Sequence, residues 1–108
     1  MKLRQWEVWK AKPAGFESAH WFVLLSNQER LDSLRHHAVN ALCCFTLRGQ
    51  PGNTDVRLDV ADGLDTTSVC DCSFVWVLQK RELSDGRGLV SWERAQALKA
   101  RVKEILRL

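Results

Sequence analysis

Five short apolar runs crowd into residues 6–80, and turns rather than long crossover helices join them. Parallel neighbours need a long crossover, usually a helix, so runs this close favour antiparallel pairing. The expected architecture is a small antiparallel barrel or a strongly bent sheet. The runs are "WEVWKA" (6–11), ended by Pro13 and Gly15; "HWFVLLS" (20–26), apolar on both faces like a central strand; "VNALCCFT" (39–46); "VRLDV" (56–60), which alternates cleanly; and "TSVCDCSFVWVLQK" (67–80). The last run is too long to lie flat as one strand. Its alternation slips near Ser73, which predicts a bulge or sharp bend between two short strands, for five or six strands in all.

Two stretches read as helix. "NQERLDSLRHH" (27–37) offers Asn27 as N-cap, Glu29 in the first turn, and Leu31 and Leu34 as a minimal apolar stripe. "SWERAQALKARVKEILRL" (91–108) is the clearest element: Ser91 can cap it, and Ala95, Leu98, Val102, Ile105 and Leu106 recur at helical spacing. Lys99, Arg101, Lys103 and Arg107 lie mostly elsewhere around this helix. Glu93 and Glu104 interrupt them, so a solvated face is expected there rather than an RNA or membrane contact. "SDGRG" (84–88), ahead of the helix, reads as a loop.

The chain has 108 residues, 45% hydrophobic and 27% charged, which fits one ordinary globular domain and argues against disorder. No apolar run is long enough to cross a bilayer. The opening "MKLRQWEVW" lacks the apolar stretch and small-residue cleavage site of a signal peptide, so a cytoplasmic protein with no membrane partner is expected. The formal net charge of +3 exerts only a weak pull on polyanions. Five Trp and no Tyr make an unusual aromatic set. Trp6, Trp9, Trp21 and Trp76 fall within strand runs, where an aromatic is most often core.

Cys43, Cys44, Cys70 and Cys72 also lie inside strand runs. Structural zinc takes paired ligands two to four residues apart, presented by turns, and "CC" and "CDC" in strands do not fit that pattern. Buried free thiols are the expectation, with no metal and no cofactor.

The third run ends in a hydroxyl and a guanidinium, Thr46 and Arg48, just before the turn residues Gly49, Pro51 and Gly52. If residues 46–48 stay extended, the two side chains share a face and can meet one ligand, such as a phosphate. The plainer reading is a β-branched residue ending a strand that surfaces. Arg57 is a second candidate cation, on the following strand. Trp21, Phe74 and Trp76 are candidates for stacking on bases. His36 and His37 read as an exposed loop pair. None of Asp55, Asp59, Asp62 or Asp65 has a spacing that singles it out as base or metal ligand.

Along nearly its whole length the chain resembles the MazF/PemK (Kid) family of toxin endoribonucleases. "EVW" (7–9) matches the family's opening D-V-W. "HWFVLLSN" (20–27) sits where the family has R-P-x-L-V-I-S-N, and "VNALCCFT" matches the strand that ends in a family Thr or Ser. "VRLD" and "GLDTTSVCDC" resemble the next strand and the G-L-x-x-x-S-V segment. "LQKREL" and "GLVSWERAQALKARVKEIL" resemble the x-x-K-x-R-L stretch and the closing helix. The order and spacing of these segments together carry the resemblance. It implies an SH3-like antiparallel barrel with a C-terminal helix, mainly β with α, and usually a homodimer.

The implied activity is metal-independent cleavage of single-stranded RNA by a toxin that a partner antitoxin holds inactive. The ribose 2′-hydroxyl attacks the adjacent phosphate and the 5′-oxygen leaves, producing a 2′,3′-cyclic phosphate. That chemistry needs a base, an acid and donors for the pentavalent phosphorane. Thr46 matches the family hydroxyl. His20 occupies the family Arg position, and Trp21 the Pro that follows it. Unlike Arg, His20 can move a proton near neutral pH, and Arg48 can supply the cation lost at position 20. The expected catalytic set is therefore His20, Thr46 and Arg48, with Arg57, Trp21 and Trp76 on the RNA. A second departure is "SFVW" (73–76), where family members carry an Asp-Gln pair with a nearby Arg. It supports an alternative: a binding module of the same fold that has lost catalysis and keeps an RNA or protein partner. A peptide-binding SH3-like adaptor is a third reading.

Overall fold

A computed structural model describes residues 2–108. The strands are β1 (Glu7–Ala11), β2 (His20–Leu24), β3 (Ala38–Thr46), β4 (Asp55–Leu58), β5 (Ser68–Asp71), β6 (Trp76–Gln79) and β7 (Ser84–Leu89). The α-helices are α1 (Gln28–Asp32), between β2 and β3, and α2 (Trp92–Leu106), after β7. Single 3-10 turns cover Val60–Asp62 and Lys80–Glu82. Every strand pair is antiparallel, in the order β4-β5-β3-β2-β1-β7, with β6 added on β3. This is the architecture of an SH3-like barrel with a C-terminal helix.

β3 is the hub. Ala38–Ala41 pair with β6, Cys44–Thr46 pair with β5, and β2 runs along Ala41–Cys43. One long strand therefore passes from one partner to the next, which bends the sheet. The run 67–80 breaks into β5 and β6 as its pattern predicts. Asp71 fixes the bend by accepting the backbone N–H of Ser73 at 2.9 Å.

Two apolar layers sit on the two faces of β2 and β3. Val23, Leu42, Cys44, Leu58 and Cys70 pack under Ala95, Leu98 and Val102 of α2. Phe22, Leu24, Ala41, Cys43 and Leu78 form the other layer with Leu3, Trp9 and Leu31. Strand alternation thus sends the adjacent Cys43 and Cys44 to opposite layers. All four cysteines are free and buried.

The structure corrects four boundaries. Residues 84–88, read as a loop, belong to β7, which pairs with β1. Their composition hides the strand because the pairing needs small residues: a Cβ on Gly86 would lie 2.8 Å from the Trp9 ring. A register shift between Val8 and Lys10 and positive φ at Asp85 and Gly88 add the irregularity that Gly and Asp tolerate. The first helix stops at Asp32 instead of reaching residue 37, and Leu34 is 93% exposed. Lys80 accounts for the early stop: its Nζ donates to the carbonyls of Arg30 (3.0 Å), Leu31 (3.1 Å) and Ser33 (2.7 Å), capping the helix end. Leu106 is half-exposed and not part of the buried stripe of α2. Val60 opens a 3-10 turn and leaves the strand before it, because Asp59 accepts the Ala61 N–H and caps that turn.

Candidate active site

β2 begins where β3 ends. Continuing the Phe22–Cys43 register by two residues sets His20 against Phe45, and their ring centroids lie 5.4 Å apart. On the other edge of β3, Thr46 faces Ser68 of β5. A cleft of about 640 Å³ opens at this strand end, lined by Ser18, Ala19, His20, Trp21, Cys44, Phe45, Thr46, Arg48, Asp65, Thr66 and Ser68.

His20 is half-buried. Its Nδ1 lies 3.1 Å from the Ser18 carbonyl oxygen. A carbonyl only accepts, so Nδ1 carries the hydrogen and Nε2 of the neutral ring keeps its lone pair. Thr46 is exposed. Leu47 N–H donates to the Thr67 carbonyl at 3.1 Å, which makes Thr46–Ser68 a non-hydrogen-bonded pair, the kind whose side chains stand closest. The Ser68 hydroxyl donates to the Thr66 carbonyl at 3.1 Å, so its lone pairs remain free to accept.

Arg48 is exposed and makes no ion pair among the described residues. Asp65, by contrast, is neutralised: Arg87 Nη1 donates to its Oδ1 at 2.7 Å. That bond also holds the Arg87 guanidinium above its ordinary range. Arg87 Cζ lies 4.3 Å, and Lys10 Nζ 4.9 Å, from the Trp21 ring. The indole is therefore engaged by cations, while Arg48 is left as a positive group facing the cleft.

Of the residues singled out in the sequence, His20, Trp21, Thr46 and Arg48 meet in this cleft. Arg57 stands exposed on β4 between buried Val56 and Leu58, outside the cleft lining. Trp76 sits on β6 among other aromatic rings, also outside the lining. His36 and His37 border a separate hollow with Lys2, Asp32 and Lys80. Sequence reasoning missed Ser18, Phe45, Thr66 and Ser68, and set Asp65 aside. The hydroxyl-rich "DTTS" at 65–68 was the available signal.

Two of the thiols, Cys43 and Cys70, do not fit nucleophilic chemistry. Burial pushes the Cys43 thiol up to about 12. Hydrogen bonds with the Cys44 and Cys72 thiols hold Cys70 well above the ordinary thiol range. Among the described residues, no group of three or more His, Cys, Asp or Glu side chains is placed to hold a metal ion, and no helix is long and apolar enough to cross a membrane.

An antiparallel SH3-like barrel with a C-terminal helix is the fold of the MazF toxins. The chain is similar to an endoribonuclease solved in complex with its cognate antitoxin from a mycobacterial species, with a TM-score of 0.82 and 20% identity over 99% of this chain and 95% of that one. It is similar to the Mycobacterium tuberculosis toxin MazF-mt6, with a TM-score of 0.78 and 20% identity over 94% of this chain and 97% of that one. A chain of the MazE-MazF complex from Deinococcus radiodurans matches with a TM-score of 0.77 and 11% identity over 98% and 96% of the two chains. No protein-family model matches the sequence, and no curated protein matches it.

Proposed function

We infer that this chain is a divergent MazF-type toxin: a cytoplasmic, metal-independent endoribonuclease of single-stranded RNA, acting as a homodimer and restrained by an antitoxin. The observation that carries the reading is the convergence of His20, Thr46 and Arg48 on one cleft of a MazF fold. The chemistry follows from their atoms. Nε2 of His20 accepts the proton of the ribose 2′-hydroxyl, whose oxygen then attacks the adjacent phosphorus. Arg48 and the Thr46 hydroxyl donate to the phosphorane oxygens as charge builds there. The P–O5′ bond breaks, the departing 5′-oxygen takes a proton from water, and a 2′,3′-cyclic phosphate remains. No step in this sequence calls on a metal.

Incubation of the purified protein with a long RNA in the presence of chelator tests the reading. Fragments ending in cyclic phosphate support it. Intact RNA, with and without magnesium, removes it. Sedimentation at tens of micromolar tests the homodimer separately.

One observation favours the second reading, a binding module that no longer cleaves. The segment Ser73–Trp76 presents an exposed Phe74 against Trp76 where the resemblance calls for Asp, Gln and Arg. Specific RNA binding without cleavage would select it.

A further inference from the structure

Five rings form a continuous ribbon across one face of the sheet. Phe45 contacts His20 at 5.4 Å, and His20 contacts Phe16 at 5.0 Å. Phe16 contacts Trp76 at 5.0 Å, and Trp76 contacts Phe74 at 4.9 Å. Fully buried Phe22 lies beneath the middle, 6.1 Å from Phe16 and 6.4 Å from Trp76. Neighbours along the ribbon meet edge to face, with interplanar angles of 69° to 85°. No ring of the ribbon is therefore stacked face to face on its neighbour. The two ends are the exposed members: Phe45 at 40% and Phe74 at 54%.

The ribbon runs into the cleft, which Phe45 lines together with Thr46 and Arg48. A row of aromatic rings that leads to a guanidinium without an ion pair matches a strand with bases on one side and phosphates on the other. The rings brace one another, so little side-chain freedom is lost on binding.

We propose that the ribbon is a base-stacking platform for unpaired RNA, with Phe45 taking the base beside the reacting phosphate and Phe74 a base further along the strand. The proposal rests on the RNA-cleavage reading of the cleft, and goes beyond it by assigning recognition to Phe45 and Phe74 rather than to Trp21. It also gives "SFVW" a role: the polar segment of the family is exchanged here for a sequence-tolerant aromatic one.

The test uses a mixed-sequence 2′-O-methyl RNA, which the 2′-hydroxyl route cannot cleave, and an abasic oligomer with the same backbone. Binding is read by fluorescence anisotropy for the parent, Phe45→Ala and Phe74→Ala, with thermal melts to confirm folding. The parent is expected to prefer the base-bearing strand. Each variant is expected to weaken that binding about 5- to 150-fold, the scale of one lost stacking contact, and to bind the abasic strand as the parent does. Equal binding of both oligomers by the parent overturns the platform, as does an unchanged preference in both variants. A Phe74→Ala variant that keeps the preference but turns a dimer into a monomer also overturns it, because a second copy then covers the ribbon. Cleavage of natural RNA by the parent separates the two ideas. Cleavage without base preference sinks the platform alone, and base preference without cleavage sinks the catalytic reading alone.

Discussion

The backbone N–H of Ser91 donates to Oδ1 of Asp62 at 3.0 Å, tying the first turn of α2 to a carboxylate that is only 1% exposed. The other oxygen accepts the Asp59 N–H at 3.1 Å and lies 3.5 Å from Arg94 Nε. Three segments thus converge on one side chain. Replacing it orphans two backbone donors, at about 1–3 kcal/mol for each buried group left unpaired, while Arg94 keeps its contact with Asp59 at 3.5 Å. Asp62→Ala is expected to lower the urea unfolding midpoint more than Asp62→Asn, which keeps one acceptor.

Gly86 and Trp9 are coupled by contact. A methyl at position 86 meets the indole at 2.8 Å, inside van der Waals range. Gly86→Ala should cost about 1–3 kcal/mol, the usual range for overpacking. Pairing it with Trp9→Leu, which vacates the space, should recover part of the loss, and a double-mutant cycle by chemical denaturation measures the recovery.

For the cleft, His20→Ala should slow RNA cleavage on the order of 100-fold or more, the scale of a general base. Thr46→Ala and Arg48→Ala should each remove about 2.7–4 kcal/mol of phosphorane stabilisation if each acts as a single oxyanion donor. Initial rates from fragment appearance, with folding checked for each variant, decide the matter. Rates equal to the parent in all three would reassign the site.

The Cys43 thiol gives a pH signature on the alkaline side. Its folded value of about 12 stands above the ordinary thiol value of 9.0 because burial disfavours the thiolate. The native state therefore holds this proton more tightly than the unfolded chain. The stabilising contribution is intact below pH 9.0 and is lost as pH rises toward about 12. Unfolding midpoints should fall across that window in the parent and fall less in Cys43→Ala. At neutral pH, Cys43 should resist alkylation until the protein unfolds.

Much of the barrel was legible because apolar alternation and turn residues report directly on strands, and β2, β3, β5, β6 and α2 carry strong patterns. β7 was not legible, since its residues answer to the Trp9 ring and to a shifted register rather than to a buried face of their own. The end of α1 was hidden for a similar reason: the side chain that caps it, Lys80, lies far along the sequence. Thr46 and Arg48 drew notice from their place at a strand end, and His20 from the family pattern. Ser68 and Asp65 enter the cleft only through the β3–β5 register and the Arg87 ion pair, neither of which a linear reading contains.

The pairing of β1 with β7 has a consequence for synthesis. β1 is made before the other strands described, and its second neighbour is made only after β6. Until then "EVWKA" carries one edge of unsatisfied backbone donors and acceptors, open to a strand from another chain. Closing that edge joins distant parts of the polypeptide, a slow event set by chain entropy rather than by local preference. Until β7 is made, that edge of β1 has no partner of its own to shield it from a foreign strand.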